Sequence, residues 1–565
     1  MNAVLPEVAA VPAIWTTGTT EGHHTGTWRS ATPRHIAAPS PCHQACPVGG
    51  EIARWIGQAR GGDLHGAWQT LMRHNPFPAV AGRICHHPCE AACNRAAYDE
   101  ALSICRLERW IGDAAIEHGW RPEAPPLRND SGGRVAVVGG GPAGLSAAYQ
   151  LRRLGHAVTL FEAGGGLGGV MRHGIPAYRL SRQVLDAEIA RIVALGVDVR
   201  CNHAVQGDAA LAALRRDHDA VFVALGAQQP RVLPQIDAGR PWAMEGARYL
   251  AACSEGRPPA LGPRVVVVGG GSAAIDVARS ARRQGHAVTL LALEPQARMP
   301  AQRDEVEEAL EEGIALVDAA MLQSVDDSAG TLQLHCVRVH FEPGAERGRF
   351  TVTPRAGGDF TLAADAVLAA IGQDPRLDDV AGDWRRQGNL LWTDGDGQTS
   401  QAGVWAGGDL ASMARFVTEA VGMGARAARA IDRALRTGDP GAAAPSIAAE
   451  PAEPPEPVVP LSAINLHYHP HRARAASPRR AAAERVADQA EVQLALTPPQ
   501  ALAEAGRCFS CGSCIQCDQC VTYCPDLAVL RVGEGYRVNT DYCKGCGVCV
   551  RECPTGSMRM SEEIR

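Results

Sequence analysis

The residues with the most specific chemistry lie near the end of the chain. Cys514, Cys517, Cys520 and Cys524 precede Pro525, and Cys543, Cys546, Cys549 and Cys553 precede Pro554, so each set reads C-x2-C-x2-C-x3-C-P. In that pattern three thiolates hold one 4Fe–4S cluster and the fourth reaches across to a second. The expected ligands are therefore Cys514, Cys517, Cys520 and Cys553 for one cluster, and Cys543, Cys546, Cys549 and Cys524 for the other. A structural zinc site needs no such paired runs. Cys508 and Cys511 extend the three-residue spacing upstream and receive no ligand role from the sequence.

A second group of thiols lies near the start. It runs Cys42-x3-Cys46-Pro, then GRICHHPCEAACN with Cys85, Cys89 and Cys93, then Cys105. Five or six thiolates in a short helical segment suffice for one cluster and are too few for two all-cysteine ones. Buried structural thiols or one zinc ion are the plainer alternatives. Of the 19 cysteines only Cys201, Cys253 and Cys336 are scattered. Clustered thiols are expected as metal ligands in a reducing compartment, here the cytoplasm, rather than as disulfides.

Between the cysteine groups stand two glycine loops. Gly139, Gly141 and Gly144 are in G-x-G-x-x-G register, with Pro142 and Ala143 inside the turn, after an apolar strand and before a helix. Missing Cβ atoms let the backbone turn sharply and let a pyrophosphate approach the helix N-terminus. Glu162 closes the next strand, 23 residues after Gly139, where a carboxylate can accept hydrogen bonds from a ribose. The frame RVAVVGGGPAGLSAAYQLRRLGHAVTL recurs 130 residues later as RVVVVGGGSAAIDVARSARRQGHAVTL, so one supersecondary unit occurs twice. Its loop carries Gly269, Gly271, Ser272, Ala273 and Ala274, and its second strand ends at Glu294. An acid there favours a free ribose 2′-hydroxyl over a 2′-phosphate, hence NADH over NADPH, although Arg298 lies close by.

The elements that must position these groups follow from composition and pattern. At 565 residues the chain is long enough for about four domains. Its 61 acidic and 55 basic residues give net charge −6, which is not a nucleic-acid footprint, and no apolar run is long enough for a membrane span. The expected organisation is an irregular arm at 1–40, a helical iron–sulfur domain at 41–125, and two dinucleotide-binding modules, one beginning at 126 and one at 263. A Pro/Ala/Glu-rich linker at 439–500 and a ferredoxin-like α+β domain at 501–565 complete it. The fold class is α/β with two Rossmann-like domains. Thr497 and Pro498 predict an N-cap and first turn for a short helix ended by Gly506.

Taken together these residues resemble the family of the glutamate synthase small subunit, shared with the N-terminal half of dihydropyrimidine dehydrogenase. The likeness runs from about Thr25 to Arg433 and is carried by GRICHHPCEAACN, GGGPAGL, GGVMRHGIPAYRL, GGGSAAID and AGGDL. It implies an iron–sulfur domain leaning on a flavoprotein core like that of disulfide reductases. The first loop would bind FAD and the second the nicotinamide nucleotide, and an NAD(P) domain at 263–375 would be inserted into a discontinuous FAD domain at 126–262 and 376–438. It also implies that Gly168, Gly169 and Val170 lie by the flavin, and that Asp409 binds the FAD ribitol or phosphate region.

The chain departs from the family in three ways. Members with two N-terminal clusters have a further C-x2-C before the position of Cys42, which is missing here, so one cluster is expected, with Cys42, Cys46, Cys85, Cys89 and Cys93 as candidate ligands. Glu108 stands where dihydropyrimidine dehydrogenase uses a glutamine ligand and could accompany Cys46, Cys85 and Cys89. Leu293 and Glu294 replace an arginine pair common in NADPH users. The tail resembles iron–sulfur flavoproteins that serve larger redox enzymes. The resulting expectation is an NADH:acceptor oxidoreductase that exchanges electrons with a ferredoxin or a catalytic redox subunit in a hetero-oligomer. Reverse flow, and a non-catalytic electron-wiring subunit, are the alternatives.

Overall fold

The computed structural model describes residues 24–123, 125–127, 132–237, 239–328, 331–344, 349–379, 384–438 and 456–563. Most of the expected arm, and residues 439–455 of the expected linker, fall outside these ranges.

Two runs of apolar residues, continuous because both sheet faces are covered, form the centres of two parallel sheets. In the first, Arg134–Val138 pairs with Ala157–Phe161 on one side and Ala220–Val223 on the other. The full order ends on Val404–Ala406 and Asp198–Arg200. The second sheet centres on Arg264–Val268, between Ala287–Leu291 and Ala366–Ala369, with Ala315–Val317 and Ala243–Glu245 at the edges. Val404–Ala406 returns to the first sheet after the second is complete, so the second domain is an insertion. Its sheet already includes Ala243–Glu245, upstream of the boundary expected at 263. An antiparallel sheet of Ala320–Asp326, Leu332–Pro343 and Phe350–Ala364 packs against it.

Small residues set the closest helix crossings. Helix Pro142–Arg153 lies against Val417–Thr437, where a Cβ on Gly424 would stand 2.2 Å from the Ala143 carbonyl oxygen. In the N-terminal domain, helix Pro78–Ile84 meets Ile104–Glu117 at Gly82 and Gly112, whose Cβ atoms would fall within 2.4 Å of the facing backbone. Trp55, Trp68 and Phe77 fill the core beside that crossing.

The two ends of the chain depart from the expectation of an irregular arm and a solvated linker. Ala31–His35 pairs antiparallel with Met558–Glu562, so the arm supplies a strand to the ferredoxin-like domain. Arg29 anchors it through Glu563 at 2.7 Å, and Gly26 N–H donates to the Asp541 carbonyl at 2.8 Å. From residue 456 onward the chain is a strap that runs along the body. Val459 N–H donates to Pro39 O at 3.1 Å and Val492 N–H to Tyr178 O at 2.9 Å. Arg83 and Arg109, both buried, each reach Glu491 at 2.7 Å. A composition rich in proline and alanine does not forbid such a path, because a strap satisfies its backbone on its neighbours rather than on itself. Helix Pro498–Ala505 then forms as its capping residues predict, with Gln500 accepting from Thr497 N–H at 2.9 Å. A cleft of about 700 Å³ separates the N-terminal domain from the second Rossmann-like domain, with Arg83, Cys105, Tyr178, Glu305 and Glu491 in its walls. Among the described residues no helix is long and apolar enough to cross a membrane.

Candidate functional site: two dinucleotide loops and a string of thiols

The first loop has the shape that a pyrophosphate requires. Gly139 takes φ +105°, and a Cβ on Gly144 would lie 1.9 Å from the Gly139 carbonyl oxygen, so neither position tolerates a side chain. Gly141 caps helix Pro142–Arg153, whose first turn holds Pro142, Ala143 and Gly144 and leaves N–H groups facing outward. Glu162 accepts from Gly140 N–H at 2.8 Å and Gly164 N–H at 2.7 Å, which fixes its carboxylate at the ribose end of the loop. Gly168 N–H donates to Gly140 O at 2.8 Å, and a Cβ on Gly169 would stand 2.9 Å from Gly141 Cα. Gly168 and Gly169 therefore back the loop, and Val170 follows half-exposed. Asp409 sits at the turn before helix Val417–Thr437, where Gly408 packs on Ala143. Burial raises the Asp409 carboxyl, and Arg415, 3.9 Å away, opposes the rise. The glycines and Glu162 fit FAD.

The second loop repeats the frame with one change that matters. Gly269 takes φ +145° and donates its N–H to Leu291 O, as Gly139 does to Phe161 O. Gly271 caps helix Ser272–Arg283, which begins Ser272, Ala273, Ala274. Glu294 occupies the place of Glu162 and packs on Gly270, yet its Oε2 is buried without a hydrogen-bond partner. Burial pushes this carboxyl up. A buried acceptor left without a donor costs about 1–3 kcal/mol, so the atom is suited to a donor that a ligand brings. Arg298 follows on the short helix Gln296–Arg298 and is exposed.

The N-terminal thiols divide into two groups. Cys46, Cys85 and Cys89 gather round Glu108. Burial pushes Cys46 up to about 11 and Cys85 up to about 12, and the Glu108 carboxyl adds to both; Cys89 rises through burial and then through Cys46 and Cys85. Burial raises Glu108 itself to about 7, against a 2.9 Å hydrogen bond from Asn75 Nδ2. Three soft thiols and one hard carboxyl in one neighbourhood are a donor set that suits an iron–sulfur cluster with an odd ligand. Cys85 also reaches Thr418 Oγ1 at 3.6 Å, and His86 stacks on Phe416 at 3.7 Å. The thiols thus touch the first turn of the helix that covers the FAD loop. Sequence reasoning missed Thr418 and Phe416, which carry no motif.

Cys42 and Cys93 belong to the other group. Cys42 accompanies Cys508, Cys93 and Cys511, its thiol raised by burial and lowered by Ser40, 3.1 Å away. Cys105 lies beside the first group, near Cys85 and Glu108, but its buried thiol is directed at Ala81 O and Gly82 O at 3.6 and 3.4 Å.

At the other end the tail cysteines fall into two neighbourhoods. Cys514, Cys517, Cys520 and Cys553 line one small cavity, and Cys543, Cys546 and Cys549 lie with Cys524.

Three family models match stretches of this chain. A model of the pyridine nucleotide-disulphide oxidoreductase family matches residues 133–424. Models of the 4Fe–4S domain II of dihydropyrimidine dehydrogenase and of a 4Fe–4S binding domain match residues 33–120 and 536–559. The chain is similar to the NADP(+)-dependent formate dehydrogenase subunit beta of Moorella thermoacetica, 35% identical over 505 residues, covering 84% of this chain and 70% of that one. It is also similar to the glutamate synthase [NADPH] small chain of Mycobacterium tuberculosis, 34% identical over 429 residues, covering 70% and 85%. A third relative is the NAD-dependent dihydropyrimidine dehydrogenase subunit PreT homolog of Salmonella typhi, 32% identical over 400 residues, covering 70% and 91%. With its two nucleotide loops and its thiols so arranged, the chain belongs to the pyridine nucleotide-disulphide oxidoreductase family, among the flavin- and iron–sulfur-dependent oxidoreductases that include the glutamate synthase small chain.

Proposed function

We propose that this chain is the NADH-reacting subunit of a multi-subunit redox enzyme of the reducing cytoplasm, exchanging electrons with a ferredoxin or a catalytic subunit. The observation that carries the nucleotide choice is Glu294 Oε2, a buried acceptor without a donor at the ribose end of the second loop. A free 2′-hydroxyl satisfies it by donating; a 2′-phosphate brings only negative charge and would be repelled. The relatives carry both NADP and NAD in their names, so the choice is argued from this residue.

When bound, FAD accepts electrons from nicotinamide in pairs and releases them singly to clusters. The protein's own part is positional. Gly139, Gly141 and Gly144 seat the pyrophosphate, Glu162 holds the ribose, and Thr418 brings the flavin-side helix against the Cys85 thiol. Cys46, Cys85, Cys89 and Glu108 would hold the cluster nearest the flavin. The tail cysteines would hold two more, in the crossed sets described above.

Anaerobic titration of the reconstituted protein with NADH and NADPH separately, following flavin and cluster absorbance, tests the reading. NADH is expected to bleach both at the lower concentration and to support viologen reduction. Preferential bleaching by NADPH would overturn the nucleotide choice, and no bleaching by either would reduce the chain to an electron-wiring subunit.

A further inference from the structure

Cys508 and Cys511 lie just upstream of the eight-cysteine tail and outside both of its cluster motifs. Their turn is nevertheless a ligand turn. Ser510 takes φ +52° and donates its N–H to Cys508 Sγ at 3.4 Å. The same device recurs where the sequence places cluster ligands: Gln516 (φ +55°) donates to Cys514 at 3.4 Å, Gly545 (φ +72°) to Cys543 at 3.4 Å, and His87 (φ +39°) to Cys85 at 3.2 Å. A non-glycine residue held at positive φ is uncommon, and an N–H aimed at sulfur stabilises a thiolate.

That turn faces the N-terminal domain rather than the tail. Asn94 Nδ2 reaches Cys511 Sγ at 3.5 Å and Val459 O at 3.0 Å. Ala38 N–H donates to Gly512 O at 3.3 Å, and Gly512 (φ +70°) leaves no room for a Cβ, which would lie 2.0 Å from Ala38 O. The buried Arg95 guanidinium donates to the Arg507 carbonyl and lies 4.9 Å over the Phe509 ring. These contacts bring Cys508 and Cys511 to Cys42 and Cys93, and all four are free thiols. Among the described residues no group of three His, Cys, Asp or Glu is tight enough for a single metal ion. A four-iron cube needs no such convergence, because each thiolate binds a different iron.

We propose that Cys42, Cys93, Cys508 and Cys511 together hold a further 4Fe–4S cluster, with two ligands from each end of the chain. The upstream C-x2-C that the sequence lacks before Cys42 is thereby replaced by one more than 400 residues downstream. Cys42 and Cys46 stand four residues apart, as do Cys89 and Cys93, and in each pair one member goes to each N-terminal site. Cys511 and Cys514 likewise divide between this site and the first tail cluster. On the proposed function, this makes the site the link between the cluster beside the flavin and the tail; the ligand assignment itself does not depend on that function.

Iron and sulfide analysis of the full chain after anaerobic reconstitution tests the assignment without NADH. Four clusters amount to about 16 iron atoms per chain, three to about 12. Wild type is expected at about 16, Cys508→Ala/Cys511→Ala at about 12 with FAD retained, and Cys105→Ala at about 16. Wild type at about 12 overturns the proposal, even where the double variant fails to fold. So does an undiminished iron content in the double variant, or a fall to about 12 in Cys105→Ala. Failure of NADH to bleach the flavin would leave these counts unchanged and would bear on the function alone.

Discussion

At the scale of residues, the two dinucleotide loops differ in one satisfied carboxylate. Glu162 is held by two backbone N–H groups of its own chain, whereas Glu294 Oε2 has none. The first acid is therefore already positioned by the fold, and the second depends on its ligand for a donor. Glu294→Ala, which removes both carboxylate oxygens, is expected to lose a hydrogen bond to a charged group, about 1.5–3 kcal/mol, and so to raise the KM for NADH roughly 10- to 150-fold. The same variant should leave the FAD content unchanged, since Glu294 lies in the other domain. Steady-state viologen reduction with each nucleotide, together with the flavin spectrum, checks both expectations. An unchanged KM for NADH would mean that Glu294 does not meet the ribose.

At the scale of elements, helix Val417–Thr437 does two things at once. Its first turn touches Cys85 through Thr418, and its third turn lies on the FAD helix at Gly424. A side chain at position 424 has the Ala143 carbonyl 2.2 Å away and must push the two helices apart. Gly424→Val is expected to cost about 1–3 kcal/mol, the usual price of overpacking, and to loosen FAD. Thermal release of flavin fluorescence should begin at a lower temperature than in the wild type. The inserted domain is braced differently, by buried charge. Arg279 reaches Glu308 at 2.8 Å and Glu312 at 2.6 Å, Arg283 shares Glu312 at 2.6 Å, and Arg179 joins Asp276 to Glu305 across the domain junction. Such networks fix geometry more than they add stability, because removing charges from water offsets much of the attraction.

At the scale of the whole molecule, the chain closes on itself. Residues 24–40 form part of the ferredoxin-like domain, while residues 456–512 line the N-terminal domain. The tail is held by contacts on both sides, so its attachment does not depend on the peptide between Gly438 and Glu456. Cleavage at a protease site inserted between those two residues is expected to leave both fragments in one peak on size exclusion, with iron retained. Separation of the fragments would show that the strap and the Ala31–His35 strand do not suffice. Removing residues 1–40 is the complementary case: it deletes the strand paired with Met558–Glu562 and should cost the tail clusters their stability, seen as iron lost on desalting.

The sequence by itself determined what local spacing can determine. Glycine register, strand and helix periods and the Thr497 cap are short-range patterns imposed by backbone geometry, and each lies where its spacing puts it; the paired cysteine runs are legible as spacing in the same way. The two Rossmann-like units were legible through the repeat and the insertion of the second through the family resemblance, although its first strand at Ala243–Glu245, short and without a glycine loop, was not. Only the tertiary structure decided which thiols meet. Cys42 and Cys46 are close in the chain yet face different groups, because Cys42 stands in the helix Pro41–Ala45 and Cys46 just past its end, where the backbone has turned extended. Cys508 and Cys511 carried a spacing without a destination; their partners lie more than 400 residues away, and no periodicity reports a contact of that length. The destination was set by glycine, arginine and asparagine contacts between the two ends of the chain, which satisfy buried backbone groups and leave Cys93, Cys508 and Cys511 near Cys42.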